Sequence, residues 1–415
     1  MHTQLSRRPP ERSTYRDPET GAYVTRWTES PAKDQHFYFT GPSVTHDDRW
    51  LTFISERDGS VNLFAIDRES GEIHRLTDNP NGQLRSYAYP RGGIRGISKA
   101  SPYLDARRQR VFYVRDDAVW TTPVVTPSPE KLCDLPEGWW SAYLHGTPSG
   151  DAVIATCTPP EAFVDTARSH LEQLIAVPRR LAELRRGTRL ICIDAVSGGV
   201  NREVELPFWC THAQACPAGS GKLLLNQEGF VAEGPSKRDI VSTRKPRIWI
   251  LEPDGALHPL YDEAEDEWAC HENWTPGGEA VVYHGVRGRG SRMFDPWTGG
   301  VTGRHFIAMR SAEGRCLVER STGDITVNHT TPIDARLSFL CDRWDGRIGL
   351  LVAEEDGVKN RTVCRADSTD LDDQDNHVHP RLTPSGNSVV FTSNRAGVAD
   401  VYEVALPPGA ALRRG

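Results

Sequence analysis

Two histidines separated by one residue, His377 and His379, lie just before a strand-like run at positions 388–392. In extended backbone, side chains at i and i+2 share a face, so these two imidazoles can converge on one metal ion. Gln374 lies three residues upstream, where a bent loop would turn its amide oxygen toward the same point. The three residues are a candidate metal site, although a lone His-x-His motif among 14 histidines is more often structural.

A repeated unit surrounds this motif. Each copy has a Pro or Ser, a turn of Asp, Gly, Ser or Asn, a β-rich run, a second turn and another β-rich run. The clearest copies are residues 43–67 (SVTHDDRWLTFISERDGSVNLFAID) and 380–404 (PRLTPSGNSVVFTSNRAGVADVYEV). Weaker copies begin near Pro102, Thr147, Ala215, Asn273 and Thr330.

Seven units of about fifty residues, each with about four short strands, predict a seven-bladed β-propeller. The fold class is therefore all-β, and residues 1–415 are expected to form a single propeller domain. Residues 1–30 are an N-terminal extension, in which a strand-like segment at 22–27 is a candidate to pair with the last blade and close the ring.

One interruption, residues 159–187, has apolar side chains at helical spacing and predicts a short helical insertion in the third blade. Pro178 is expected to break or kink this helix. The insertion is either a decoration between strands or a wall or lid over one mouth of the ring, since loops on a rigid scaffold often carry function.

Histidines recur at the start of four successive units, and corresponding positions of successive blades lie at the same height around the channel. The propeller therefore brings these side chains together: His212, His271, His329 and the pair His377 and His379. Arg247, in a strand of the fourth unit, adds a candidate fixed cation, although it also suits a salt bridge between strands.

Composition is that of a soluble globular protein, with 38% apolar and 25% charged residues and no apolar run of the ~18 residues that a membrane span needs. A net charge of −7 argues against nucleic acid as a partner. Arg7 and Arg8 have no apolar segment behind them, so we expect no secretion signal and a cytoplasmic location. The 9 cysteines include no Cys-x-x-Cys pair and are expected to be buried free thiols.

The chain resembles the oligogalacturonate lyases of polysaccharide lyase family 22, which are seven-bladed propellers. The resemblance runs from DQHFYFTGPSVTHDDRWLTFISERDGSVNLF to HVHPRLTPSGNSVVFTSNRAG and includes the helical insertion. The family's Gln-x-x-His-x-His-Pro motif matches positions 374–380, and its His-Glu-aromatic-x-Pro-Asp-Gly motif is similar to positions 271–278.

This resemblance implies a residue set for metal-dependent β-elimination on short oligogalacturonides or related uronate oligosaccharides. It implies that a divalent metal, manganese in the family, is bound by His329, Gln374, His377 and His379. His271 would be the general base with Arg247 as its electrostatic partner, and His212 is a candidate substrate-binding residue. A metal on the substrate carboxylate acidifies the C5 proton as a Lewis acid, and ligand type alone does not separate manganese, iron and zinc.

Three departures from the family pattern bear on the substrate. Val378 stands where the family commonly has Pro, the aromatic residue after His271 is displaced to Trp274, and the stretch from His271 to His329 is longer than usual. The loop at 286–302 is a candidate to reshape the pocket, so the sugar and its neighbour stay open, as does the oligomeric state.

Two other functions fit parts of this pattern. A non-catalytic binding module similar to TolB-type propellers would share the TPSGNSVVFTSNRAG repeat but would have no convergent histidines. A metallohydrolase would use the same ligands to activate water, but the sequence lacks the carboxylate-rich ligand set that many such enzymes use. The set of His271, His329, His377 and His379 favours the lyase over both.

Overall fold

Seven antiparallel sheets of four or five strands, with one additional two-stranded hairpin, follow one another along the chain. This computed structural model describes residues 5–82, 97, 102–163, 170–234, 240–288, 303–334, 336–371 and 374–406. The arrangement confirms the seven-bladed β-propeller that the repeat predicts, with an inserted helix in the third blade. Each sheet is called a blade below and numbered by its place along the chain.

The strands and the helix have the following bounds. Three strands precede the first repeat: β1 (Arg7–Arg8), β2 (Ser13–Arg16) and β3 (Tyr23–Arg26). Blade 1 contains β4 (Asp34–His36), β5 (Trp50–Ser55), β6 (Asn62–Asp67) and β7 (Ile73–Arg75), and blade 2 contains β8 (Tyr103–Asp105), β9 (Arg110–Arg115), β10 (Ala118–Pro123) and β11 (Glu130–Asp134). Blade 3 contains β12 (Trp140–Gly146), β13 (Ala152–Thr158), helix α1 (His170–Leu184), β14 (Arg189–Asp194) and β15 (Val200–Glu205).

The remaining blades continue in the same order. Blade 4 contains β16 (Ala213–Ala215), β17 (Leu223–Asn226), the hairpin of β18 (Phe230–Ala232) and β19 (Ile240–Thr243), β20 (Ile248–Leu251) and β21 (Leu257–Pro259). Blade 5 contains β22 (Glu267–Trp274), β23 (Ala280–Arg287), β24 (Arg304–Ser311) and β25 (Cys316–Gly323). Blade 6 contains β26 (Val327–Pro332), β27 (Ser338–Arg343), β28 (Arg347–Glu354) and β29 (Gly357–Arg365), and blade 7 contains β30 (Arg381–Leu382), β31 (Ser388–Ser393) and β32 (Asp400–Ala405).

Burial along the strands follows from the stacking of blades around an axis. Every residue of β5, β6 and β31 is buried, because both faces of a middle strand pack against neighbouring blades. Outer strands such as β15 alternate between exposed and half-buried side chains. The runs of Val, Ile, Leu and Phe that mark the middle strands in the sequence are therefore the side chains that join the blades.

Seven clusters of buried apolar side chains lie one between each pair of adjacent blades. The cluster between blades 1 and 7 joins Phe53 and Phe64 to Val390 and Val401. Because first and last blades share such a cluster like any other pair, the core is continuous around the ring. No blade buries its faces alone, so neighbouring blades stabilise one another.

The last sheet combines strands from the two ends of the chain. Strand β3 pairs antiparallel with β32, with Thr25 opposite Glu403, and β2 adds an outer strand beyond β3. Arg26 donates hydrogen bonds to the buried carboxylate of Asp400, and the indole of Trp27 donates to Glu403 at 2.9 Å. The ring is thus closed by backbone pairing between an N-terminal and a C-terminal strand.

Helix α1 packs on the inserted hairpin of blade 4 rather than standing free. Leu174, Ile175 and Leu181 are buried against Phe230 and Ile240. At the start of the predicted helical segment, residues 160–162 form a 3-10 turn and Phe163 is extended, and residues 164–169 lie outside the described ranges.

The predicted break at Pro178 does not occur, since α1 continues through it. A proline there has no N–H to donate to the Leu174 carbonyl. Gly229 packs directly against Pro178 and that carbonyl, where a Cβ atom would lie 2.4 Å from the Pro178 ring and 2.7 Å from the Leu174 oxygen. A glycine at 229 therefore allows the hairpin segment to cover this turn of the helix.

All nine cysteines are free, as expected, but they are not all buried: Cys133 and Cys192 are half-buried and Cys316 is exposed. These three lie on or next to outer strands, which pack on one face only. Within the described ranges, no helix is both long and apolar enough to cross a membrane.

We predict that ring closure depends on the N–H of Thr25. The Trp27 N–H donates to the Val401 carbonyl at 2.8 Å, and this alternation directs the Thr25 N–H toward β32 and the Thr14 N–H away from the sheet. Thr25→Pro should therefore lower the free energy of unfolding by about 1–3 kcal/mol, because a sheet carbonyl loses its donor. Thr14→Pro, on the outer strand, should change it little. Equal losses in denaturant unfolding would contradict this account.

Candidate metal and active site

The first strand of each blade lines the central channel, and adjacent first strands contact one another, as β22 does β26. Antiparallel order places the start of each first strand, and the connection between its second and third strands, at the same mouth of the ring. That mouth therefore carries the histidines at the blade starts, helix α1 and the β18–β19 hairpin. The loop at 286–302 belongs to the same set of connections, but residues 289–302 lie outside the described ranges.

Three of the predicted ligands meet in the channel. The Nε2 atom of His329 lies 3.2 Å from Nε2 of His379 and 3.4 Å from Nδ1 of His377. All three residues are buried, and their nitrogens form a group that can hold a metal ion. Blade 6 supplies His329 from β26, and the segment before β30 supplies the pair.

Hydrogen bonds fix which nitrogen of each ring faces the group. The Nδ1–H of His329 donates to Asp342 at 2.9 Å, and the Nε2–H of His377 donates to the Leu371 carbonyl at 2.7 Å. Both rings therefore turn their second nitrogen toward the same point, His329 its Nε2 and His377 its Nδ1. The second nitrogen of a neutral imidazole is a lone-pair donor, so this set of side chains fits a divalent metal.

Asp342 is a partner of the metal group that the sequence analysis missed. It lies on β27, opposite His329 on the neighbouring strand, and also accepts the backbone N–H of His329 at 2.7 Å. Burial opposes its ionisation, but the imidazole of His329 outweighs burial and lowers the pKa of the carboxyl. A strand alignment that predicts cross-strand neighbours would have found it.

His271 lies beside this group, with its ring centroid 4.2 Å from that of His329. Its Nδ1 is 2.8 Å from Nε2 of His284 on the adjacent strand. Burial, with the charges of His329, His284 and Arg247, lowers the pKa of His271 well below its ordinary value, so the ring is neutral at neutral pH.

Both His271 and His379 have left-handed backbone, with φ of 55° and 48°. This conformation is costly for residues other than glycine and is concentrated at functional sites. In β22 it coincides with a shift of register between Cys270 and Asn273. The bulge turns His271 out of the alternation of a regular strand and toward the channel.

Arg247 is buried between two carboxylates on neighbouring elements. Its Nη1 donates to Glu228 at 3.2 Å, and its Nε lies 3.9 Å from Glu272. Burial raises the pKa of Glu228, but Arg247 and His212 outweigh it and bring that pKa down to about 2. For Glu272, burial prevails over Arg247 and raises the pKa to about 7. A fixed ion pair and a carboxyl that exchanges its proton near neutrality thus lie next to His271.

His212 lies on the far side of an aromatic segment that crosses the channel. Tyr38 stacks on His212 with ring centroids 5.2 Å apart and contacts His379 edge-on at 4.8 Å. Phe39 contacts His271 edge-on, and its ring is tilted against those of His329 and His379, with centroids 5.0 to 5.5 Å apart in all three pairs. Residues 37–40 of blade 1, called the plug below, therefore form the floor of the histidine site. Burial lowers the pKa of His212 to about 4, and its Nε2 has no hydrogen-bond partner within the described chain.

The plug separates the histidines from a second cavity at the opposite mouth. That cavity has a volume of about 520 Å³ and is lined by turns after the first strands, including Pro217 and Pro276, and by Arg381 of β30. Arg381 donates to the Phe39 carbonyl and so holds the plug from below. The histidine site therefore lies on the side of the plug that faces the mouth with the insertions.

Gln374 begins a 3-10 turn, residues 374–376, and its backbone carbonyl accepts the His377 N–H at 3.3 Å. The turn places Gln374 half-buried next to the pair of histidines. His145, near the end of β12 in the third blade, is a further channel histidine that the sequence analysis missed: its Nε2 lies 3.1 Å from the Thr40 hydroxyl of the plug.

The ring and its channel-facing histidines define a class: a seven-bladed β-propeller with a candidate metal site on its axis. No family model matches the chain. It is 23% identical over 408 residues to an oligogalacturonide lyase of Pectobacterium atrosepticum, covering 95% of this chain and 96% of that one. It is 22% identical over 413 residues to an oligogalacturonate lyase of Dickeya dadantii, with the same coverages.

Solved structures show the same likeness. An oligogalacturonate lyase in complex with manganese has a TM-score of 0.75 at 20% identity, over 98% of this chain and 99% of the other. The oligogalacturonate lyase of Vibrio parahaemolyticus has a TM-score of 0.75 at 18% identity, over 98% and 100%. These structures support the fold, and with the two sequence relatives they confirm the resemblance to the oligogalacturonate lyase family over nearly the whole chain.

We predict that Glu228 stabilises the fold in a pH-dependent way. Its pKa in the folded chain, about 2, is below its ordinary 4.5, so its contribution is present above about pH 4.5 and is lost as the pH falls toward 2. Glu228→Gln should cost about 3–5 kcal/mol at neutral pH, because Arg247 loses its ionised partner in a buried site. The difference in the free energy of unfolding between Glu228→Gln and the parent chain should therefore become smaller below pH 4.5.

Denaturant unfolding at a series of pH values measures this difference in unfolding free energy. The matched control is Glu233→Gln, since Glu233 is exposed five residues along the same segment. A stability difference between Glu228→Gln and the parent chain that stays constant down to pH 2 would show that ionisation of Glu228 is not the cause of that difference.

Proposed function

We propose that the protein is a carbon–oxygen lyase that cleaves short oligogalacturonides, the fragments of pectin, by metal-dependent β-elimination. The observation that carries this proposal is the convergence of His329, His377 and His379 next to a neutral His271. A binding module without metal chemistry would not need this convergence. The names of the two sequence relatives and of the two similar structures support the same activity.

We propose that His329, His377 and His379, with Gln374 completing the set, bind a divalent cation, manganese being the choice that the similar manganese complex supports. When bound, the metal would supply a Lewis acid for the carboxylate of the substrate. Neutral imidazoles and an amide oxygen also suit iron and zinc, so metal identity does not follow from the ligands alone. Asp342 would hold His329 in the orientation that the metal requires.

His271 is the proposed base. It would take the C5 proton of the uronate, which is acidic because the carboxylate is adjacent, and its depressed pKa keeps it unprotonated for this step. The electrons of the C5–H bond form the C4=C5 double bond as the C4–O4 bond breaks. The O4 oxygen leaves with the electron pair of the C4–O4 bond and takes up a proton, so no water is added to the sugar.

Arg247 is the proposed electrostatic partner. Its charge is one of the causes of the low pKa of His271, and it lies beside Glu272, whose pKa of about 7 suits proton exchange. The ion pair with Glu228 holds the guanidinium in the buried site. His212, with its ring on Tyr38 and a buried nitrogen that has no partner among the described residues, is the proposed contact for a substrate hydroxyl.

The proposed reaction is tested by ultraviolet absorbance on incubation of the manganese-loaded protein with di- and trigalacturonate. Elimination forms a C4=C5 bond conjugated with the carboxylate, so absorbance should rise, and a chelator should abolish the rise. Chain cleavage without a new chromophore would indicate a hydrolase at the same site. The absence of any reaction, with metal bound, would move the search to other uronates.

Replacing the base should separate chemistry from metal binding. His271→Ala should reduce turnover by about 10²–10⁴-fold while manganese still binds at His329, His377 and His379. His258→Ala, on outer strand β21, is the matched control and should keep full activity. Full activity of His271→Ala with metal bound would exclude His271 as the base.

Removing the carboxylate behind His329 should weaken metal binding. Asp342→Asn should raise the dissociation constant for manganese about 10–100-fold, because the ring of His329 loses its acceptor and its fixed orientation. Asp345→Asn, in the following turn, serves as control since Asp345 pairs only with Arg343 and Arg347 in the ion pairs seen among described residues. Titration followed by electron paramagnetic resonance of free manganese measures both constants.

A further inference from the structure

A second group of metal-ligand side chains lies beside the histidine site. Cys270 and His271 on β22 and His284 on β23 bring one thiol and two imidazoles together. The Cys270 Sγ lies 3.4 Å from Nδ1 of His271 and 3.3 Å from Nε2 of His284, and the two nitrogens are 2.8 Å apart. Cys270 and His284 are each 2% exposed. Neither residue has a part in the proposed elimination.

The backbone is shaped to produce this group. Neighbouring residues of a regular strand point to opposite faces, so Cys270 and His271 would not meet. The register shift of β22 and the left-handed φ of 55° at His271 bring both onto one side, toward His284, which pairs across the strands with Cys270. Such a conformation persists only where the surroundings impose it, and it is concentrated at ligand sites.

Two of the three distances in this group match those around a tetrahedral ion. With metal–nitrogen bonds of about 2.0–2.1 Å and a metal–sulfur bond of about 2.3 Å, tetrahedral ligands lie about 3.3 Å apart for two nitrogens and about 3.6 Å apart for nitrogen and sulfur. The nitrogen–sulfur separations at Cys270 lie within 0.3 Å of this, and the two nitrogens lie somewhat closer together. Two His and one Cys leave a fourth position open to water or another ligand.

We propose that Cys270, His271 and His284 form a second cation site, selective for zinc. Thiolate is a soft ligand that favours zinc over manganese, whereas the group at His329 has no sulfur. On binding, the Cys270 thiol transfers its proton to the buffer and the sulfur bonds to the metal. His271 coordinates through Nδ1, which leaves its Nε2 for the proposed reaction. The inference does not rest on lyase activity, since it concerns metal binding alone.

Cobalt titration of the metal-free, full-length protein without oxygen tests the site. Cobalt bound to thiolate gives a strong charge-transfer band in the near ultraviolet, whereas a nitrogen and oxygen site gives only weak visible bands. The wild-type chain should show the band, zinc should remove it, and His329→Ala should retain it. Visible bands without the near-ultraviolet band in the wild type would mean that the three side chains form only a hydrogen-bonded network.

Two variants identify the cysteine whose sulfur gives the near-ultraviolet band. Cys270→Ser should lose the band, while Cys192→Ser, a half-buried thiol on β14, should keep it. Persistence of the band in folded Cys270→Ser would overturn the proposal. Should that variant fail to fold by circular dichroism, zinc-edge X-ray absorption on the wild-type chain decides: sulfur among the zinc ligands supports the site, and nitrogen and oxygen alone overturn it.

Discussion

Closure of the ring between blade 1 and blade 7 is the constraint on which the rest of the structure depends. Each blade covers its neighbours, so an open ring would expose the faces of two sheets. The junction also positions one of the proposed metal ligands: the Nε2–H of His36 donates to the His379 carbonyl at 2.8 Å, and its Nδ1 lies 2.8 Å from the Thr392 hydroxyl. Burial lowers the pKa of His36 to about 4, so it stays neutral in this role. The same contacts that close the ring hold the left-handed backbone of His379.

The plug blocks the central channel beneath the histidines, so the upper part of the channel becomes a closed-bottomed site. A propeller axis is otherwise open at both mouths, and water in it would screen the charges at its wall. Tyr38 and Phe39 fill the axis beneath the histidines and provide an apolar floor. In this environment burial sets the ionisation of the site: it keeps His271 neutral and makes Glu272 titrate near neutrality. The protonation states that acid–base chemistry requires therefore depend on the plug, residues 37–40 of blade 1, which fills the axis beneath the histidines.

Features that recur in each repeat could be predicted from the sequence, whereas contacts that depend on the register between strands could not. Seven similar units predict the ring, and histidines at equivalent positions predict which side chains meet, because equivalent positions of a propeller share a height. Asp342 and His284 were missed since they are cross-strand neighbours of site residues, and pairing between strands is not visible in one unit. Cys270 was missed for a different reason: a bulge reverses the face of its neighbour, and an alternating pattern cannot show that. Of the two predicted effects of Pro178, a break or a kink, the break does not occur, and the hairpin of blade 4 supplies contacts that stabilise this turn of the helix.

The pairing of β3 with β32 has a consequence for biosynthesis. A ribosome releases Tyr23–Arg26 well before Asp400–Ala405, so strand β3 waits for its partner while the intervening blades form. During that time two surfaces lack their partners: the face of blade 1 that packs against blade 7 in the closed ring, and the edge of β3. Both are open to chaperones or to a neighbouring nascent chain. His377 and His379 emerge in the same late interval. A nascent chain therefore completes the proposed metal-binding group of His329, His377 and His379 shortly before its ring can close.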